Sequence, residues 1–250
     1  MSFPFYLPLG PIRLHPHFVF EALAYFIGYR VYRKQRKRSG DHLSTPDRTW
    51  IVAAAICGAA IGSKLLYWLG DPALSVRRWN DVFYVMAGKT IVGGLIGGLI
   101  AVEVTKRRLG ILTRTGDLFA IPLCLGIAIG RIGCFLSGLS DDTYGIPTDL
   151  GWGIDFGEGI SRHPVQLYEI GWMCLLAFWL GRLARKPHRE GDLFKSFMLG
   201  YFGFRLAIDF LKPGVRFAGL TSIQWACVIM LLYYCRDLPH LFERREAAIR

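Results

Sequence analysis

The chain has 250 residues, 52% of them hydrophobic, and 30 lysines and arginines against 19 aspartates and glutamates give a formal net charge of +11. A mean hydropathy of +0.32 lies above the ordinary soluble range and argues against a water-soluble fold. The positive charge then reads as cytoplasmic loops facing anionic lipid rather than as a nucleic-acid surface.

A membrane-crossing helix needs about 20 mainly apolar residues. In chain order such stretches run Phe18 to Tyr32, Trp50 to Gly70, Tyr84 to Val104, Leu118 to Gly138, Pro164 to Leu183, Leu193 to Leu211 and Leu220 to Cys235. The expected fold is all-α: a single integral membrane domain, 1–250, built as a bundle of seven transmembrane helices. Between the first two spans lie Arg30, Arg33, Lys34, Arg36, Lys37, Arg38 and Arg48, a run that resists translocation. With that run in the cytoplasm, alternation places Lys106 to Arg108 with Arg114, Arg182 to Arg189, and Arg236 with Arg244, Arg245 and Arg250 on the same side. The loop carrying Asp141, Asp142, Asp149, Asp155 and Glu158 falls on the opposite side, so the N-terminus is expected outside and the C-terminus in the cytoplasm. The first sixteen residues contain Pro4, Pro8 and Pro11 and no charged start followed by a long apolar core, so no cleavable signal peptide is expected.

The six cysteines, Cys57, Cys124, Cys134, Cys174, Cys227 and Cys235, form no CxxC pair and have no histidine at ligand spacing. Neither a zinc site nor a disulfide framework is expected from them. Ionisable groups are costly at bilayer depth and usually face a bundle interior or a watery cavity. Glu21, Lys64, Lys89, Arg131, Glu169, Lys195, Arg205 and Asp209 all fall within the spans or at their ends. Arg205 and Asp209 are one helical turn apart and can pair on one face. Arg131 has no acidic residue three or four positions away, so its partner must come from another helix, water or a bound anion. Two guanidinium groups on different spans have the geometry to clamp one phosphodiester headgroup. The glycines around Arg131 and at Gly88, Gly93, Gly94, Gly97 and Gly98 read first as close helix packing. Where the acidic loop enters the fifth span, Arg162, His163, Pro164, Gln166, Tyr168 and Glu169 place an imidazole beside a carboxylate.

These pieces together resemble the bacterial prolipoprotein diacylglyceryl transferase family. The matching residues are Gly93-Gly94-Leu95-Ile96-Gly97, Asp117, Gly130-Arg131-Ile132-Gly133 with Phe135, Tyr144-Gly145, and Pro147-Thr148-Asp149-Leu150. Trp152-Gly153, Arg162-His163-Pro164, Gln166-Leu167-Tyr168-Glu169 and Arg205 continue the match, which runs from Gly10-Pro11-Ile12-Arg13 to Ser222 with Gln224-Trp225. The resemblance implies a multi-pass enzyme of the bacterial plasma (inner) membrane. Such an enzyme transfers diacylglyceryl from phosphatidylglycerol, or a related anionic phospholipid, to the thiol of a lipobox cysteine in a precursor protein and releases glycerol phosphate. It implies no metal, organic cofactor or nucleic-acid partner. By position, Arg131 and Arg205 match the arginines assigned to headgroup binding and catalysis. Gly93, Gly94, Asp117, Gly133, Tyr168 and Glu169 fall on other motif positions and are expected at the substrate.

Three positions depart from the family pattern. Val92 stands where the family has histidine, Cys134 where it has asparagine, and Leu139 where it has glutamate. His163 is the expected substitute base, and Cys134 beside Arg131 is a candidate nucleophile, because a nearby guanidinium lowers a thiol pKa. A non-catalytic phospholipid-binding or accessory paralogue, or a transferase with another acceptor, is the alternative expectation.

Overall fold

The structure, a computed structural model, describes residues 3–39, 43–86 and 88–236. Arg244, Arg245 and Arg250 of the basic C-terminal segment lie outside the described residues. The described backbone is mainly helical. A two-stranded antiparallel ribbon, β1 (Leu7–Leu9) with β2 (Ile12–Leu14), turns at Gly10 and leads into α1 (Pro16–Ser39). Then follow α2 (Thr45–Trp68), α3 (Pro72–Arg77), α4 (Val82–Met86), α5 (Ile91–Leu109) and α6 (Asp117–Ser137). A second ribbon, β3 (Ile154–Asp155) with β4 (Ser161–Arg162), precedes α7 (Val165–Leu183), α8 (Asp192–Ile208) and α9 (Ser222–Cys235).

By length and hydropathy, α2 and α6 with its 3-10 extension to Asp141 qualify to cross a membrane. The expected stretch Tyr84 to Val104 is divided. Tyr84 belongs to the short α4, and the long helix α5 begins only at Ile91. Gly88 interrupts the two with φ +49°, where an added Cβ would meet the Tyr67 ring at 2.2 Å, so only glycine suits this turn.

Contacts divide the chain into two compact units. The first comprises residues 1–40 and 114–213, with α6 at its centre packed against α1, α7 and α8. Each of its core helices buries one stripe. On α7 the stripe is Val165, Glu169, Met173, Leu176 and Leu180; on α8 it is Leu193, Phe197, Tyr201, Arg205 and Ile208. The spacing of three and four keeps these residues on one helix face. The outward residues are apolar too, with Leu175 and Phe178 more than half exposed, as a lipid-facing surface requires.

The second unit comprises residues 41–113 and 214–250, and α2 packs along α5 through facing glycines. A Cβ at Gly58 would lie 2.4 Å from the Gly97 carbonyl oxygen, and one at Gly97 would lie 2.2 Å from that of Gly58. Gly62 and Gly93 oppose each other in the same way, at 2.4 and 2.3 Å. The four-residue spacing on both helices is a small-residue seam that lets backbones touch.

Candidate active site

The polar residues of the first unit collect where α6, α7 and α8 meet. Arg131, Glu169, Arg205 and Asp209 are each at least nine-tenths buried. Buried charges persist only when paired. Arg131 Nε lies 2.8 Å from Glu169 Oε2, and Arg205 Nη1 lies 3.6 Å from that same oxygen. The other face of the Glu169 carboxylate accepts a hydrogen bond from the Tyr201 hydroxyl at 3.1 Å. Arg205 Nη2 donates to Asp209 Oδ1 at 2.9 Å, one turn along the chain. Two guanidinium groups are thus balanced by two carboxylates, and Glu169 is the bridge between them. The Arg131 contact is an ion pair rather than an aligned hydrogen bond, and its Nε–H has no hydrogen-bond acceptor among the described residues. Donor capacity therefore remains in the cluster, since each guanidinium carries five N–H groups.

A second chain of polar contacts starts from Arg131 Nη1. Arg131 Nη1 donates to Cys134 Sγ at 3.6 Å, and that sulfur lies 3.9 Å from His17 Nδ1. His17 Nδ1 is 2.7 Å from Asp141 Oδ1, and Thr143 donates to Asp141 Oδ2 at 2.9 Å. Gly133 makes this possible. A Cβ there would sit 2.8 Å from Phe20 Cβ and 3.2 Å from His17 Cα, so its absence lets the first turn of α1 lie against α6.

The remaining residues singled out from sequence sit elsewhere. His163 Nδ1 is 3.3 Å from the Tyr168 hydroxyl, which also accepts from Trp152 Nε1 at 2.8 Å. Among the described residues no hydrogen bond joins His163 to either arginine. Asp117 accepts the Gly191 and Phe194 backbone N–H groups at 2.7 and 2.9 Å, closing the N-terminus of α8. Gly93 and Gly94 face α2 within the second unit, and Val92 beside them is buried. Lys212, just beyond the 3-10 turn Asp209–Leu211, has its ammonium pushed down to about 7 by desolvation and then by Arg205 and Arg131. His17 and Tyr201 were not singled out from the sequence. The only signal for His17 was its position ahead of the first apolar span, while Tyr201 is one of many aromatics in α8.

The profile of the prolipoprotein diacylglyceryl transferase family matches residues 4–235. The chain belongs to that family. It is similar to a protein of Bordetella parapertussis named phosphatidylglycerol–prolipoprotein diacylglyceryl transferase, at 32% identity over 92% of this chain and 91% of the relative. Proteins of the same name from Methylococcus capsulatus and Glaesserella parasuis are 32% and 30% identical, covering 98% and 93% of this chain and 97% and 93% of theirs. The family is one of bacterial membrane transferases, and its work is lipoprotein biosynthesis.

Proposed function

We propose that the chain is a phosphatidylglycerol–prolipoprotein diacylglyceryl transferase whose buried arginine pair receives the phosphate of the lipid donor. The observation that carries this reading is the convergence of Arg131 and Arg205, from different helices, on one carboxylate. The cluster balances charge before any anion enters, and spare guanidinium N–H groups remain to meet a phosphate oxygen. In the reaction a C–S bond forms between the acceptor thiolate and the terminal glyceryl carbon while the C–O bond to phosphate breaks. Negative charge builds on the departing glycerol phosphate, and preorganised guanidinium groups stabilise it by about 10² to 10³ in rate. The thiol proton needs a base, and the residues at the family's polar positions are Val92, Cys134 and Leu139.

In this reading the protein crosses the bacterial inner membrane seven times as one integral domain, with the N-terminus outside. The basic run Arg33 to Arg38 is cytoplasmic and the loop Ser140 to Arg162 is outside. Phosphatidylglycerol and lipobox-containing precursors are its substrates. Tyr168, Glu169, Gly133, Asp117, Gly93 and Gly94 are assigned to substrate binding or to holding the site in shape, and His163 to proton transfer near the loop. The burial of Val92 in place of a histidine favours a second reading, a lipid-binding paralogue that keeps the clamp without turnover.

A growth test separates the two. A bacterial strain depleted of its own diacylglyceryl transferase is supplied with this chain or with Arg131→Ala. Growth restored by the wild type and lost in the variant supports the transferase. If the wild type does not restore growth although it reaches the membrane and binds phosphatidylglycerol, the paralogue reading stands.

A further inference from the structure

The contacts around Cys134 hold three chemically different donors, one from α1 and two from α6 with its 3-10 extension. His17 comes from the first turn of α1, Cys134 from α6, and Asp141 from the 3-10 turn that follows. One ligand atom from each lies within 4.8 Å of the other two. Tetrahedral zinc, with bonds of about 2.0 to 2.3 Å, sets its ligand atoms about 3.3 to 3.6 Å apart. The sulfur-to-nitrogen separation of 3.9 Å needs a small contraction, and the nitrogen-to-oxygen separation of 2.7 Å a small expansion. Rotation about side-chain bonds supplies both.

Proximity alone also describes an ordinary hydrogen-bonded trio, so the surroundings of each donor matter more. Metal-ligating imidazoles present their other nitrogen to a carboxylate, and ligating carboxylates are themselves hydrogen-bonded. Here His17 Nε2 is 3.6 Å from Glu21 Oε2 while Nδ1 faces the trio. Asp141 Oδ2 is held by Thr143, which leaves Oδ1 turned inward. Cys134 Sγ receives an N–H from Arg131 at 3.6 Å, which fixes the direction of the sulfur. His17 and Asp141 each have an orienting neighbour on the polar atom that does not face the trio.

We infer that His17 Nδ1, Cys134 Sγ and Asp141 Oδ1 bind a divalent transition-metal ion of zinc type, with a fourth position open to water or an exogenous oxygen. A mixed N, S and O set suits zinc and its borderline neighbours over magnesium or calcium, which take oxygen ligands. Thiolate and carboxylate together cancel the ion's double positive charge, so Arg131 keeps its balance with Glu169. The sequence hid this site because His17 and Cys134 are 117 residues apart. The site depends on these donors alone and stands whether or not transfer to a lipobox cysteine occurs.

Cobalt(II) is the probe, because a cobalt–thiolate bond gives a charge-transfer absorption in the near ultraviolet. Cobalt chloride is titrated into the full, tag-free, chelator-treated chain in detergent. The expected result is a band that saturates at one equivalent and is bleached by zinc. Cys134→Ser removes the band, and Glu21→Gln keeps it while weakening cobalt affinity about 10- to 100-fold. Circular dichroism on each variant verifies that the helices persist. The inference is overturned if the folded wild type shows no band at millimolar cobalt. It is equally overturned if the band survives in Cys134→Ser, which would assign it to one of the other five cysteines.

Discussion

Glu169 on α7 bridges two arginines that its own helix does not supply, standing 2.8 Å from Arg131 of α6 and 3.6 Å from Arg205 of α8. Three helices are thereby tied at one oxygen atom. Removing one partner from a buried ion pair leaves an uncompensated charge and typically costs about 3 to 5 kcal/mol. Glu169→Gln is therefore expected to destabilise the protein by about 3 kcal/mol or more. Thermal unfolding in detergent checks this, and added phosphatidylglycerol should recover part of the loss while phosphatidylcholine should not. A variant as stable as wild type would show that the arginines do not rely on this carboxylate.

The second prediction concerns the proposed loss of a base at position 92. Val92→His is expected to raise diacylglyceryl transfer to a lipobox peptide, by up to about 10² to 10⁴ where proton removal limits the rate. Arg131→Ala should lower residual activity more than His163→Ala, because it removes charge stabilisation and lipid binding together. Radiolabel transfer from phosphatidylglycerol with purified protein reports all three. Fast wild-type turnover that is indifferent to Arg131→Ala would contradict the clamp.

Lys212 supplies a pH dependence whose sign can be worked out. Its folded-state pKa is depressed to about 7, below the free-lysine value near 10.4, so the unfolded chain binds more protons between those limits. The penalty on stability is full below pH 7 and fades as pH rises towards 10. Lys212→Met should remove this slope, most visibly as a gain in melting temperature at pH 6. In the same range the protonated ammonium adds a third cation near Arg205 and Arg131. Binding of anionic lipid vesicles should therefore strengthen from pH 8 to pH 6 in the wild type and stay flat in Lys212→Met.

The glycine seam of the second unit predicts intolerance to the smallest side chain. Gly97→Ala places a methyl group where the Gly58 carbonyl oxygen already stands, at a distance no real contact reaches. Forced separation of α2 and α5 should cost about 1 to 3 kcal/mol, the usual range for overpacking. Gly130→Ala, with nothing within 4 Å of its added Cβ, is the matched control and should be nearly neutral. Melting temperatures of the two variants in the same detergent decide the matter.

Topology is open to chemical labelling. Single cysteines placed at Ser140 and at Lys37, in a background without the native cysteines, should react oppositely with an impermeant maleimide in intact cells. The site in the acidic loop is expected to label and the site in the basic run to stay protected. The reverse pattern would invert the orientation.

The helical class and the long apolar helices α2 and α6 could be read from hydropathy, while the count of seven spans belongs to the proposal. The break before α5 could not, because it depends on Gly88 meeting the ring of Tyr67, and a composition window averages over such a contact. The Arg205–Asp209 pair was visible at one helical turn. The partner of Arg131 was not, because Glu169 lies on a different helix and only the packing of α6 on α7 brings it within reach. His17, Cys134 and Asp141 were less legible still. Their meeting depends on how deeply α1 sinks onto α6, which neither helix encodes by itself.

That depth is set at Gly133, where the α1 backbone occupies the space of a side chain. A methyl group there would lift α1 by a few tenths of an ångström and draw His17 back from Cys134 without touching a polar atom. Gly133 thus works as a spacer gauge. A lineage could tune the chemistry of the Cys134 sulfur, or silence it, by exchanging one hydrogen for a carbon in the adjoining residue, while every group that does chemistry stayed the same.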